Sequence, residues 1–199
     1  MTHFVSNFCE VYGSYLGARY NEDMDSIAVD IAGFAYNSLN REPVILLKRK
    51  EETEPIKSMV PIAVGPAEAQ AVVSALQGHE PPRPMTHDLM ANLMTTLRAE
   101  VKRVDVHSFH EGTFLAAITL DQDGITFIVD ARPSDALALA VRCAAPIYLD
   151  RDVFNASSIE TKAMTPLQHN DDLAHSSLQE LYHQIHNFAN SVQPSDFKI

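Results

Sequence analysis

The sequence predicts an α+β protein in which two strand-strand-strand-helix units form a mixed or antiparallel sheet packed with helices. Several short segments alternate between two faces, as residues 125–129 do, with the two-residue period of a strand. Longer segments space apolar residues by three and four, as in an amphipathic helix. Pro66 precedes Glu68 as Pro133 precedes Asp135, and a strand pattern precedes each pair. The chain therefore repeats one strand-to-helix junction.

The first unit begins at about residue 26. Its three strands are predicted at residues 27–36, 44–48 and 60–64. Pro61 has no N–H group to donate to a neighbouring strand, so the third strand is expected at an edge, or paired on one side only there. A helix is predicted from Pro66 to about residue 76, since proline suits the first helical turn.

The second unit repeats this order. Its strands are predicted at residues 101–109, 113–120 and 125–130, followed by a helix from Pro133 and a short strand at residues 145–149. Between the units, Thr86 is a suitable N-cap for a further helix. The repeat indicates a duplication, although short apolar strands can also resemble one another by chance.

The predicted domain covers residues 26–150 and has a helical extension at each end. Residues 1–25 contain an amphipathic helical pattern, which either packs on its own domain or forms a dimer contact. Residues 151–199 begin with a polar stretch and end in a helix, where Ser177 and Glu180 have capping-box spacing.

Composition narrows the class of protein. Of the 199 residues, 46% are hydrophobic and 21% charged, which is typical of a globular domain and not of a disordered or membrane protein. Two cysteines and no signal-peptide pattern predict a cytoplasmic protein. The net charge of −11 argues against tight nonspecific binding of nucleic acid, because such binding normally uses basic surface, but it leaves room for a local basic cleft.

Two groups of charged residues are candidates for chemistry: Asp130, Arg132 and Asp135 at the second junction, and Arg83, Thr86, His87 and Asp88 before the middle helix. If the groups meet, their carboxylates can bind Mg²⁺ or Mn²⁺ and their guanidinium groups can hold a phosphate. Each group also has a structural interpretation, as a helix cap or as an ion pair that closes a turn.

Other catalytic patterns receive little support. His183 and His186 are three residues apart on a predicted helix, but no third ligand stands at zinc spacing, so a solvated helix face is the favoured interpretation. His110 and Glu111 are interpreted as hairpin-turn residues. The sequence contains no phosphate-binding P-loop, dinucleotide fingerprint or G-x-S-x-G elbow.

Four motifs closely resemble, in order, those of the bifunctional nuclease family. They are VGPAEA at residues 64–69, PRPMTHDL at 82–89, EGTF at 111–114 and IVDARPSDA at 128–136. The resemblance covers about residues 26–150. It implies an α+β domain and, for plant members, hydrolysis of both DNA and RNA.

The resemblance also implies a set of site residues. The catalytic candidates are His87, Asp88, Asp130 and Asp135, and the substrate-binding candidates are Arg83, Thr86 and Arg132. Asp130 and Asp135 are the candidate ligands for Mg²⁺ or Mn²⁺, and His87 is the candidate acid or base. The expected function is cleavage of DNA and RNA with low sequence selectivity. The protein is expected to be a homodimer and to have no membrane partner. The alternative is a non-catalytic binding or regulatory protein that uses the same turn motifs structurally.

Overall fold

The computed structural model describes residues 25–36, 42–52 and 56–160. The strands in these ranges are β1 (Ser26–Tyr36), β2 (Pro43–Arg49), β3 (Ser58–Ala63), β4 (Ala99–His110), β5 (Thr113–Gln122), β6 (Ile125–Ala131), β7 (Ile147–Asp150) and β8 (Ile159–Glu160). The helices are α1 (Pro66–Leu76), α2 (Thr86–Thr96), α3 (Pro133–Cys143) and α4 (Arg151–Ser157). The predicted α+β class is confirmed. In the part of the chain that is described, no helix is long and apolar enough to cross a membrane.

The strands form one mixed sheet in the order β6-β5-β4-β7-β1-β2-β3-β8. Adjacent strands are antiparallel except β4 and β7, which are parallel. The two three-stranded meanders, β1-β2-β3 and β4-β5-β6, lie on either side of β7. Each meander leads into a helix that begins with proline, as the sequence predicts, while the duplication stays a prediction.

The core lies between one face of the sheet and the helices. Pairing places Val29, Ile147, Val104 and Ile118 side by side across four strands, and Val29, Val104 and Ile118 are buried. Helices α1 and α3 contact each other, and α3 contacts β4 and β5. Helix α2 buries no residue fully and lies against α3 and β4, so it forms one side of a surface cleft.

Helix α4 and strand β8 follow the last predicted strand, in a stretch for which the sequence predicts no element. Asp150 caps α4, since its Oδ1 accepts hydrogen bonds from the N–H groups of Asp152 and Val153 at 2.9 and 3.0 Å. Phe154 is 1% exposed in the core, with the Arg49 guanidinium 4.4 Å from its ring centroid. A helix as short as α4 depends on tertiary packing, and the spacing of apolar residues along the sequence does not reveal such packing.

The pairing of Pro61 and the N-cap of α2 can be compared with their predictions. Pro61 pairs with Leu46 of β2, and β8 pairs only with Ser58 and Met59, so among the described residues β3 is paired on one side at Pro61, as predicted. The prediction of Thr86 as an N-cap is wrong: the cap is Met85, whose N–H donates to Asp88 Oδ2 at 2.9 Å. The predicted terminal helices lie outside the described residues.

Candidate functional site

The two proline-led junctions meet at an ion pair. Arg132 is the N-cap residue of α3, and its Nη1 lies 3.0 Å from Oε1 of Glu68 in the first turn of α1. A side chain at Gly65 would require the Glu68 carboxylate to shift, because a Cβ there would meet Glu68 Oε2. The repeated junction pattern therefore produces one site that is built from both units.

Asp135 is the centre of the site. Arg132 donates from Nε to Asp135 Oδ2 at 2.7 Å and from Nη2 to Oδ1 at 3.1 Å. His87 Nε2, from the first turn of α2, lies 3.1 Å from the same Oδ1. Burial favours the neutral acid, but the hydrogen bonds from Arg132 and His87 outweigh it and hold the Asp135 pKa below its usual value. Asp135 is therefore ionised at neutral pH.

This contact fixes the tautomer of the His87 ring. An ionised carboxylate only accepts hydrogen bonds, so Nε2 of His87 must donate to Asp135. In a neutral imidazole the other nitrogen, Nδ1, then carries the free lone pair. The His87 side chain is 12% exposed, so the pair is partly screened from water. The arrangement is that of a general base oriented by a carboxylate.

Arg132 retains donors for an anion. A guanidinium group has five N–H groups. Two donate to Asp135 and one faces Glu68, which leaves two for a ligand. The side chain is 66% exposed, so these donors are accessible to a phosphate.

Asp88 has a structural role in this arrangement. Its Oδ1 accepts from Arg142 Nε at 2.5 Å, and its Oδ2 caps the Met85 N–H. Burial of Asp88 opposes ionisation, but the hydrogen bonds from Arg142 and from the Met85 N–H lower its pKa overall. Arg142 Nη1 also donates to the carbonyls of Ala71 and Ala138 at 3.0 and 2.9 Å. Arg142 thus ties α2 to α1 and α3, and both oxygens of Asp88 are occupied.

These side chains border a cleft of about 860 Å³ between α1, α2 and β6. Among the charged and polar residues that line it are Glu68, Thr86, His87, Asp130, Arg132, Asp135 and Arg142. Asp130 is exposed at the end of β6. Arg83 is also exposed but does not line the cleft. Five of the seven predicted site residues therefore line the cleft. Asp88 pairs with Arg142 instead, and Arg83 lies outside the cleft.

The predicted metal ligands can be tested against their contacts. Both oxygens of Asp135 already accept hydrogen bonds from Arg132, and Oδ1 also contacts His87. Oδ1 thus has both of its acceptor positions filled, whereas Oδ2 accepts one hydrogen bond and keeps a second acceptor position. Within the described ranges, no three His, Cys, Asp or Glu side chains are grouped closely enough to hold a metal ion. A Mg²⁺ or Mn²⁺ ion held by Asp130 and Asp135 therefore stays a prediction.

Glu68 and Arg142 are site residues that the sequence analysis did not select. Glu68 occupies the position in the first junction that Asp135 occupies in the second, so the repeat carries a signal for it. Arg142 is the only cationic residue of α3, and its partner Asp88 is 54 residues away along the chain. Only the fold brings Arg142 and Asp88 together.

Comparisons with known proteins agree with the resemblance. The family model for the bifunctional nuclease domain matches residues 45–162, which include every residue that lines the cleft. Uncharacterized proteins from two strains of Mycobacterium tuberculosis are each 32% identical over 170 residues, or 85% of this chain and 97% of theirs. Bifunctional nuclease 2 of Oryza sativa subsp. japonica is 27% identical over 125 residues, or 60% of this chain and 37% of the rice protein.

Proposed function

Because the chain belongs to the bifunctional nuclease domain family, we propose that it cleaves phosphodiester bonds of RNA and DNA with low sequence selectivity. The proposed site is the cleft around Asp135, which we therefore call the catalytic cleft. The observation that carries this proposal is the contact of His87 and Arg132 with the same carboxylate, Asp135. In the proposed mechanism, His87 is the base and Arg132 is the anion-binding group.

The chemistry follows from these three residues. His87 Nδ1 accepts the proton of the attacking hydroxyl, which is the neighbouring 2′-hydroxyl in RNA or a water molecule in DNA. The new oxygen–phosphorus bond forms as the bond to the leaving oxygen breaks. The leaving oxygen takes up a proton from solvent water, and His87 afterwards releases its extra proton to solvent. Asp135 stabilises the resulting imidazolium ion. The two remaining N–H groups of Arg132 stabilise the charge that develops on the phosphoryl oxygens.

A non-catalytic binding or regulatory protein is the second candidate. The observation that favours it is the engagement of Glu68, Asp88 and Asp135 in ion pairs that also hold the helices together. Such a protein would bind nucleic acid or another partner without cleaving it, so an assay for product formation separates the two candidates.

The deciding experiment measures cleavage of labelled single-stranded RNA and DNA with Mg²⁺, with Mn²⁺ and with a chelator. We expect RNA cleavage to persist in the chelator, because His87 and Arg132 supply the base and the anion site. A mock purification from cells that lack the protein controls for contaminating nucleases. Absence of cleavage under every condition would contradict the proposal. Activity lost both on chelation and in Asp130→Asn would instead indicate a metal held through Asp130.

We also propose that two copies pair through β6. Among the described residues β6 is an edge strand, and its register with β5 is regular. It carries no lysine or proline, the residues that commonly protect such edges. Ile125, Phe127, Ile128 and Val129 are 37 to 60% exposed, and they lie on both faces of the strand.

Exposed leucines of α2 and of the segment after it extend the proposed contact surface. Leu97 of the segment after α2 lies beside β5, since its carbonyl accepts from Gln122, and Leu89, Leu93 and Leu97 are 51 to 61% exposed. With the four apolar side chains of β6 they form the exposed apolar surface that we assign to the dimer contact. A stable dimer buries about 800 Å² per partner, roughly two thirds of it apolar.

This proposal predicts the mass in solution. The wild-type protein is expected to elute as a dimer, and Ile128→Lys is expected to shift it to a monomer, because a charge at the paired edge blocks antiparallel β6–β6 contact. Light scattering after size exclusion measures both masses. Leu76→Lys, at an exposed position on α1, is the matched control and should remain dimeric. A monomeric wild-type protein, or a dimer that Ile128→Lys leaves intact, would contradict β6 pairing.

A further inference from the structure

A second groove lies on the other side of Arg132. It has a volume of about 550 Å³ and is lined by the end of β3, the hairpin between β4 and β5, and the start of α3. Glu68, Asp130, Ala131 and Arg132 line both this groove and the catalytic cleft. The guanidinium group that faces the scissile phosphate in the proposed mechanism therefore stands at the boundary between the two depressions.

An exposed aromatic pair forms one wall of the second groove. Phe109 and Phe114 are cross-strand partners on β4 and β5, with ring centroids 4.5 Å apart and planes tilted by 42°. Phe114 is half-buried and packs against the core, whereas Phe109 is 44% exposed. The contact with Phe114 restricts the orientation of Phe109, so the exposed ring is held as a fixed surface.

We propose that the second groove binds a nucleobase of a single-stranded substrate, with the ring of Phe109 as its stacking surface. This inference rests on the proposed nuclease function. A base is a flat aromatic group, and base–aromatic stacking contributes to the binding of single strands regardless of sequence. Because the groove adjoins Arg132, a strand whose phosphate contacts Arg132 can place a neighbouring base against Phe109.

The groove also selects for an unpaired base. A base within a duplex is stacked and hydrogen-bonded to its partner strand, so it can reach a surface groove only if it leaves the helix. Stacking on Phe109 requires no particular base, in agreement with low sequence selectivity. The predicted substrate class is therefore single-stranded RNA or DNA, or the unpaired segments of a folded nucleic acid.

The first test uses binding, so that it does not depend on cleavage. In the His87→Ala background, Phe109→Ala is expected to raise the Kd for a labelled single-stranded oligonucleotide about 10-fold, the size of one stacking contact. Phe109→Tyr keeps the ring and should bind as tightly as the parent. Leu76→Ala, which removes a side chain with the same 44% exposure on α1, is the matched control and should have no effect.

Abasic substrates then test the contact itself. An oligonucleotide that lacks one base is prepared with the gap at each position in turn. At one gap position the missing base is the one that stacks on Phe109. There Phe109→Ala should weaken binding no further, because the stacking contact has already been lost. Equal weakening by Phe109→Ala at every gap position, or no weakening of the intact oligonucleotide, would overturn the proposal. A wild-type protein that binds in this pattern but cleaves nothing would contradict the nuclease function and leave the base site standing.

Discussion

Replacing His87 by alanine is expected to lower the rate of phosphodiester cleavage by about 100-fold or more, the usual contribution of a general base. The substitution removes the lone pair on Nδ1 and leaves Arg132 paired with Asp135, so substrate binding should change much less than the rate. Cleavage of labelled RNA under single-turnover conditions measures the effect, because it separates the chemical step from binding.

His110→Ala is the matched control for this prediction. His110 is 80% exposed in the hairpin between β4 and β5 and does not line the catalytic cleft. Its substitution should leave the rate unchanged. A His87→Ala protein that stays folded and cleaves at the wild-type rate would remove His87 from the mechanism.

Arg142→Met is expected to lower the free energy of unfolding by about 2 to 3 kcal/mol, because it leaves a partly buried carboxylate without its partner. The side chains of Arg142 and Asp88 are 11% and 25% exposed. Methionine preserves most of the apolar length but donates nothing to Asp88, Ala71 or Ala138. Denaturant unfolding followed by circular dichroism measures the change.

Arg151→Met is the matched comparison for stability. Arg151 donates to Asp25 at 2.6 Å, much as Arg142 donates to Asp88, but both side chains are exposed, at 46% and 69%. Exposed pairs contribute little because water and salt screen them, so this substitution should have no measurable effect. Equal losses of unfolding free energy in the two variants would show that burial is not what makes the Arg142–Asp88 pair stabilising.

The sequence predicts strands β1 to β7 and helices α1 to α3 well because each carries its own local signal. Alternating side chains mark the strands, and Pro66 and Pro133 mark the helix starts. Helix α4 is missed because Phe154 stabilises it through contacts with distant strands and not through periodicity. Local patterns therefore predict most of the fold and fail where an element is short and held by the core.

The candidate site is less predictable because its contacts join distant parts of the chain. The motifs select His87, Asp135 and Arg132, and the fold places them together across 48 residues of sequence. They do not distinguish Asp135, which faces the cleft, from Asp88, which turns towards Arg142. The same type of carboxylate at the same helical position thus has two roles, and only the position of Arg142 in the fold decides between them.

In the proposed mechanism, His87 and Asp135 act together as one catalytic unit in the cleavage of a phosphodiester bond. The most direct test of this mechanism compares cleavage rates of His87→Ala, Asp135→Asn and the double variant, all shown to be folded. If the two residues form one unit, the double variant should be no slower than the slower single variant. Losses that multiply in the double variant, or an Asp135→Asn protein as fast as the wild type, would contradict the account.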